Sequence, residues 1–385
     1  MTRKDVIFTF SNETWSDARW RGMMRPPDRI LSTLMASDEV GKLLVANPWR
    51  WWPTAAIRAG VGATRRFPRT ENRRLYSPRR SLRADPTGIA ELDASYHEYD
   101  AGLRAAAEKL GMQSPSVITT NPLIAGYAPL DWSDGVTYFG RDDWLSSPSR
   151  KDYWPAYREA YRRIAQSGMS VAAVSQQIID RIAPTGPHTV VPNGVEPSEW
   201  LGEADRAPGW FRRLPSPRAV YVGTIDSRVD IEGVTALARQ RRDLTIVLVG
   251  PTPVRDFVER LTSEPNVVVH GSVGRRAVVS VLRAAELSLL AHRRTELTEA
   301  MSPLKVYEYL AAGLPVLATD LPPVRELGDR VLLADSVEHF GGLVDDALAL
   351  GRESEVDRVA FVTENSWTAR HRAILDMSLH PADRR

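Results

Sequence analysis

The segment Ser302-Pro303-Leu304-Lys305-Val306-Tyr307-Glu308 carries the side chains most suited to chemistry in this chain. Its pattern predicts a short helix with both ends marked. Ser302 suits the N-cap, Pro303 the first helical position, and Gly313 the left-handed residue past the end. Leu304, Tyr307, Leu310 and Ala311 fall on one face, which leaves Lys305 and Glu308 one turn apart on the other. A helix N-terminus offers unpaired N–H groups and the positive end of the helix dipole, a natural seat for a diphosphate. Lys305 adds a point charge for phosphate, and the Glu308 carboxylate is able to accept two hydrogen bonds from a ribose diol. The expected diphosphate- and ribose-binding set is therefore Ser302, Pro303, Leu304, Lys305 and Glu308. The alternative is an amphipathic core helix whose Lys–Glu pair is merely solvated.

The choice of lysine at 305 is itself informative. Of the 50 basic residues only five are lysine, and Lys305 is the only one after Lys151. Where arginine serves nearly every need for positive charge, a lone lysine points to a use for its compact ammonium.

Two further groups have chemical potential. Asp142 and Asp143 are adjacent carboxylates just past an apolar run, suited to general-base work on an acceptor hydroxyl, with Asp143 the preferred member. Capping of a following helix is the competing role. From Arg65 to Arg83 there are eight arginines and one glutamate, preceded by Trp49-Arg50-Trp51-Trp52. Arg50, Trp51, Arg73 and Arg74 are the expected acceptor contacts there. Arginine interleaved with aromatics suits a nucleic acid or an anionic membrane surface, and a solvated basic loop is the plainer reading. The seven histidines show no metal-ligand spacing, so His97 and His292 read as ordinary polar residues, and no metal or cofactor is expected. Gly60-Val61-Gly62 has no preceding strand to make it a dinucleotide loop.

The elements that must position these groups are legible as short apolar runs alternating with helix-like stretches. In the first half, strands are expected at 5–10, 43–46, 116–120, 135–139, 170–174 and 189–191. Those expected in the second half are 219–222, 244–249, 266–269, 287–290, 316–319 and 331–333. Such alternation indicates parallel sheets with helices on both faces, an α/β architecture of two doubly wound, Rossmann-like domains. Ligands of such sheets bind at the carboxyl ends of the strands. The length of 385 residues suits two domains, and 43% hydrophobic with 25% charged residues is a globular composition. With no cysteine there is no disulfide framework or thiol nucleophile. No apolar run reaches membrane-spanning length, and the start turns polar too soon for a signal peptide. A cytoplasmic protein is expected, peripheral at the inner membrane face if its acceptor is there.

The stretch SPLKVYEYLAAGLPVLATDLPPVREL resembles the nucleotide-binding segment of GT-B glycosyltransferases, near the family 4 group and its bacterial polysaccharide and cell-surface glycan branch. VVPNGVEPSEW is similar to the turn that ends the first domain of that family, and YVGTIDSRVD to the first strand and loop of its donor domain. LTIVLVGP and NVVVHGSV resemble the next two strand ends, NSWTARHRAIL the last helix, and YFGRDDW a strand end facing the cleft. The opening DVIFTFSNETWSDARWRGMMRPPDRIL is similar too, and less specific. The resemblance implies two domains with a cleft between them: 1–195 for the acceptor, a linker at 196–217, 218–363 for the donor, and a C-terminal helix within 364–385 packing back on the first domain. It implies that Gly223 lets backbone approach the ligand and that Arg228 reaches the diphosphate. One departure stands out. Where many members carry a glutamate eight positions before Glu308, this chain has Ala300, flanked by Glu299. The sugar would then be held by backbone from Met301 to Leu304, with Glu299 or Glu296 nearby. The implied activity is transfer of a sugar from a nucleoside-diphosphate sugar to an acceptor hydroxyl, the acceptor being a lipid-linked or surface-glycan precursor. Transfer to a hydroxylated base in DNA is the alternative, and an inactive nucleotide-sugar-binding protein is the alternative of another class.

Overall fold

Successive residues of the first strand, Val6, Ile7 and Phe8, are all buried, as are Ile246, Val247, Leu248 and Val249 in the second half. Burial on both faces rather than on alternate residues is the mark of a central parallel strand covered by helices on both sides. The computed structural model describes residues 3–51, 67–80 and 84–380, and every apolar run predicted as a strand is one in it. The described chain divides into two compact units, 1–192 with 370–385, and 193–369.

The first unit holds β1 (Lys4–Thr9), β2 (Val40–Ala46), β3 (Arg50–Trp51), β4 (Arg73–Tyr76), β5 (Arg79–Arg80), β6 (Ser116–Thr119), β7 (Gly135–Gly140), β8 (Ser170–Ala173) and β9 (His188–Val190). Seven of these form a parallel sheet in the order β4-β2-β1-β6-β7-β8-β9, while β3 and β5 pair separately. The edge strand β4 lies inside the arginine-rich stretch, in register with β2 through Leu43 opposite Arg73 and Ala46 opposite Tyr76. The C-terminal helix Trp367–Leu379 joins this unit from Arg370 onward. There the Ser378 hydroxyl donates to Thr137 Oγ1 at 2.9 Å, and His371 Nδ1 lies 2.7 Å from Thr33 Oγ1.

The second unit holds β10 (Arg218–Val222), β11 (Thr245–Val249), β12 (Val267–His270), β13 (Leu287–Leu290), β14 (Val316–Thr319) and β15 (Val331–Ala334) in the order β12-β11-β10-β13-β14-β15. Alternate residues sort the core into two layers. Val220, Val247, Val249 and Leu290 face one cluster that includes Trp200, Phe211, Val306 and Tyr309. Ala219, Ile246, Leu248 and Leu289 face the other, with Leu237, Val337 and Phe340. The stretch 196–217 was expected to be a linker because it is polar and proline-rich. It lies within this unit instead, and Trp200 and Phe211 are 1% and 0% exposed in its core. No described helix is long and apolar enough to cross a membrane.

Candidate functional site

In the second unit the chain runs β10, β11, β12 toward one edge and then β13, β14, β15 toward the other, so the order reverses between β10 and β13. Open α/β sheets bind ligands at the carboxyl ends of the strands at such a switch point. Tyr221 lies one residue before the end of β10, Gly223 directly follows the strand, and His292 comes two residues after β13. The loop after β10 is tied to the end of β13 by Arg293 N–H to Arg228 O at 2.8 Å and Asp230 N–H to Ala291 O at 2.9 Å. Arg228 is thereby fixed beside His292, with its guanidinium held by Asp226 at 2.9 and 2.7 Å.

Lys305 reaches into this switch point from the helix Leu304–Ala311. Its ammonium donates to the Tyr221 hydroxyl at 2.8 Å and to His292 Nε2 at 3.0 Å, and sits 4.4 Å from the Tyr221 ring centroid. Tyr221 in turn donates to Thr224 O at 3.1 Å. Burial and the charges of Lys305 and Arg228 hold His292 neutral, so Nε2 is the acceptor. Burial, then Arg228, pushes the Lys305 pKa down to about 7, opposed by Asp226 and Glu308. Among the described residues Lys305 forms no salt bridge with any carboxylate. A partly buried ammonium held only by neutral groups is incompletely compensated, and an incoming anion supplies what is missing.

Gly223 makes this approach possible. Its φ is +143°, and a Cβ there would come within 3.2 Å of Lys305 Cε and Nζ. Its own N–H is spent on Val249 O at 2.9 Å, so what glycine provides is space and backbone conformation rather than a donor. Gly250, at φ +152°, crosses it so closely that a Cβ would sit 2.0 Å from Gly223 O.

Ser302 does not cap the helix. Its hydroxyl accepts from Asn193 N–H at 3.1 Å, and Asn193 Nδ2 donates to Ser302 O at 2.7 Å. Pro303 occupies the N-cap position and has no N–H to offer. The N–H groups of Met301, Leu304 and Lys305 have no hydrogen-bond acceptor among the described residues, which leaves the helix mouth able to receive an anion. Gly313 takes φ +78°, as the sequence predicted. Ala300 is buried at the end of the short helix Glu296–Ala300, and Glu299 faces Arg294 at 3.9 Å.

Glu308 is not simply solvated. Its Oε1 accepts from Arg275 Nη1 at 2.6 Å, and the same guanidinium grips Glu199 through Nε at 2.8 Å and Nη2 at 2.6 Å. Burial raises the Glu308 pKa, and Arg275 works against the rise. Sequence reasoning missed Tyr221, His292, Arg275 and Glu199. For His292 one signal was available, since it follows an apolar strand, where such sheets gather ligands.

In the first unit, Asp143 is 2% exposed, with Oδ1 accepting from Leu145 N–H at 3.2 Å and Oδ2 lying 2.8 Å from Arg181 Nη1. The Asp142 side chain is 50% exposed and lies 2.9 Å from Arg141. The preference for Asp143 as the base is therefore reversed, because a buried carboxylate with both oxygens engaged cannot meet an acceptor hydroxyl. Arg141 also bonds Glu13 at 2.9 Å; burial alone would raise the Glu13 pKa, but Arg141 and backbone N–H groups hold it below the usual range. Several expected acceptor contacts serve the backbone. Arg50 donates to Asn12 O, Arg73 to Met35 O, and Arg74 to Thr70 O at 3.1 Å, while Trp51 is half-buried in β3. Trp52, Gly60–Gly62, Arg65, Arg66 and Arg83 lie outside the described residues. His97 is exposed, its Nδ1 2.8 Å from Asp93 O.

Residues 216–349 match the family described as Glycosyl transferases group 1. A stretch of 199 residues is 28% identical to the putative teichuronic acid biosynthesis glycosyltransferase TuaH of Bacillus subtilis (strain 168), covering 49% of this chain and 48% of that protein. The match thus spans about half the length of this curated relative. Among solved structures, trehalose-6-phosphate from E. coli bound with UDP-2-fluoro glucose is similar at TM-score 0.66 and 13% identity, over 98% of this chain and 99% of that one. Sucrose-phosphate synthase from Thermosynechococcus elongatus is similar at TM-score 0.66 and 15% identity, over 97% and 98%. The chain has the GT-B fold, and its residues 216–349, which carry Gly223, Arg228, Lys305 and Glu308, match the family of group 1 glycosyl transferases.

Proposed function

We propose that this protein is a glycosyltransferase that moves a sugar from a nucleoside-diphosphate sugar to an acceptor hydroxyl. The observation that carries the reading is the Lys305 ammonium, partly buried at the switch point of the second sheet on a helix whose first N–H groups are unpaired, and paired with no carboxylate among the described residues. In transfer, the acceptor oxygen bonds to the anomeric carbon as the bond from that carbon to the diphosphate oxygen breaks. Lys305, Arg228 and the N–H groups of Leu304 and Lys305 bind the charge that gathers on the departing diphosphate, where preorganised donors contribute most. Glu308 accepts from the ribose hydroxyls. Backbone N–H groups of Met301 and Ser302 hold the sugar in place of the glutamate absent at Ala300.

On the acceptor side, Asp142 is the carboxylate we assign to take up the acceptor proton, with Arg141 orienting it and Asp143 holding the turn. A precursor of a cell-surface glycan, lipid-linked at the inner membrane face, is the acceptor class we favour. The likeness to a protein named for teichuronic acid biosynthesis supports it.

A thermal-shift screen of ADP, GDP, UDP, CDP and dTDP with their common sugar conjugates tests the donor. Ligand at a hundred times its Kd raises stability by about 2.7 kcal/mol. Stabilisation by one nucleotude class, lost in Lys305→Ala, is expected; no shift from any nucleotide would reject the reading. Release of free diphosphate on adding a polyprenyl-linked acceptor then separates a transferase from a protein that only binds.

A further inference from the structure

We infer that Arg275 is a specificity-determining residue of the proposed nucleotide site, holding the Glu308 carboxylate so that it reads the ribose hydroxyls. The inference rests on the nucleotide-sugar reading above. Arg275 opens the helix Arg275–Leu282, directly after Gly274. A cation in the first turn opposes the helix dipole, so the helix itself gains nothing from it. What the position provides is reach. Nε and Nη2 grip Glu199 from the segment Pro197–Trp200, and Nη1 points away to Glu308 at 2.6 Å. The guanidinium carbon lies 5.2 Å from the Trp200 ring centroid, and Trp200 is itself fixed in the core. One planar fork is thus anchored on one edge and on its face, and presents its free end to a single carboxylate oxygen. Lysine, a point charge on a flexible stem, cannot make both bonds in fixed geometry.

The consequence for Glu308 is both position and charge. With Oε1 on Arg275, Oε2 is left to accept from a ligand. The charged groups facing Glu308 are Arg275 from the helix Arg275–Leu282, Glu199 from Pro197–Trp200 and Lys305 from its own helix. Without Arg275, burial and Glu199 push the carboxyl pKa further up against Lys305 alone, toward a protonated form that donates one hydrogen bond and no longer accepts from two hydroxyls.

The test is the affinity ratio between the best-bound ribonucleoside diphosphate and its 2′-deoxy counterpart, by calorimetry at pH 7 and pH 9. Titration of Lys305 acts on both nucleotides alike and cancels in the ratio. The unmodified chain should favour the ribonucleotide by roughly tenfold, the worth of one well-made hydrogen bond. Arg275→Met should bring the ratio close to one at pH 7, with recovery toward the unmodified value at pH 9 as Glu308 ionises again. A ratio unchanged by R275M overturns the inference. So does a lost ratio that pH 9 does not restore, which would make Arg275 a packing element against Trp200. Should R275M fail to fold, Arg275→Lys decides, and an unchanged ratio there is again fatal. An unmodified chain that binds both nucleotides equally defeats this inference alone, whereas one that binds neither defeats the nucleotide reading itself.

Discussion

Lys305 Nζ donates to the hydroxyl of Tyr221 at 2.8 Å, across a separation of 84 residues in sequence. Both hydrogen-bond partners of the ammonium, Tyr221 and His292, are neutral, so no directly bonded carboxylate holds its charge. Such a lysine is easily neutralised, and its titration is exposed to whatever anion arrives.

Donor binding should accordingly depend on pH. In the ligand-free protein Lys305 loses its proton near pH 7, whereas a bound diphosphate stabilises the charged form. Affinity for a nucleotide sugar, whose diphosphate does not itself titrate near neutrality, is expected to fall as pH rises from 7 to 9, by up to about tenfold per pH unit. Lys305→Ala should bind more weakly by about 1.5–3 kcal/mol and show a flat profile. Calorimetry across that range checks both, and a sloping profile in the alanine variant would assign the titration to another group.

The two adjacent carboxylates of the first unit should behave differently. Asp142→Asn is expected to keep donor affinity and melting temperature and to lose turnover. Asp143→Asn should lower stability by about 1–3 kcal/mol, because it leaves Arg181 without its charged partner, while folded molecules keep their donor affinity. Denaturant titration alongside a transfer assay distinguishes them; equal turnover losses at unchanged stability would return Asp143 to the reaction.

Trp200→Ala and Phe211→Ala should each cost about 3–5 kcal/mol, the range for removing a large aromatic from a core. A substitution at Leu201, which is exposed, should stay within about 0.5 kcal/mol. Chemical denaturation checks the contrast, and a free linker at 196–217 would show three mild variants.

His371 should make the first unit acid-sensitive. Burial, then Arg29, pushes its pKa down to about 3, well below that of the unfolded chain. The unfolded state therefore binds the extra proton between about pH 6.5 and 3. Stability is full above that window and falls as pH drops through it, by up to about 1.4 kcal/mol per pH unit. His371→Gln should flatten this part of the stability profile, measured by denaturant midpoints at stepped pH.

Much of this architecture was legible because it is local. Most strands of both sheets are short, largely apolar runs, and Gly313 is where a helix must turn left-handed. The edge strand β4 was not, since Arg73-Arg74-Leu75-Tyr76 has no apolar pattern and is ordered by pairing with β2. Ser302 looks like a cap from its neighbours, yet its hydroxyl is claimed by Asn193, 109 residues away. Lys305 and Glu308 were identified by type and spacing, but their partners Tyr221, His292 and Arg275 come from other strands and helices, and nothing in the local pattern announces them. The length of 196–217 without apolar periodicity hid two aromatic anchors.

The second unit begins and ends side by side. Val195 N–H bonds Asn365 O at 2.9 Å, Trp367 N–H bonds Val195 O at 3.0 Å, and a Cβ on Gly194 would come within 2.7 Å of Asn365 O. A segment whose two ends meet can be cut out and set into another chain at a single locus, without spanning any distance. Residues 193–369 therefore constitute a cassette. Recombination at those two points would exchange the whole set Gly223, Arg228, Arg275, Lys305 and Glu308, and with it the donor site proposed above, as one inherited block, while the rest of the chain keeps its history.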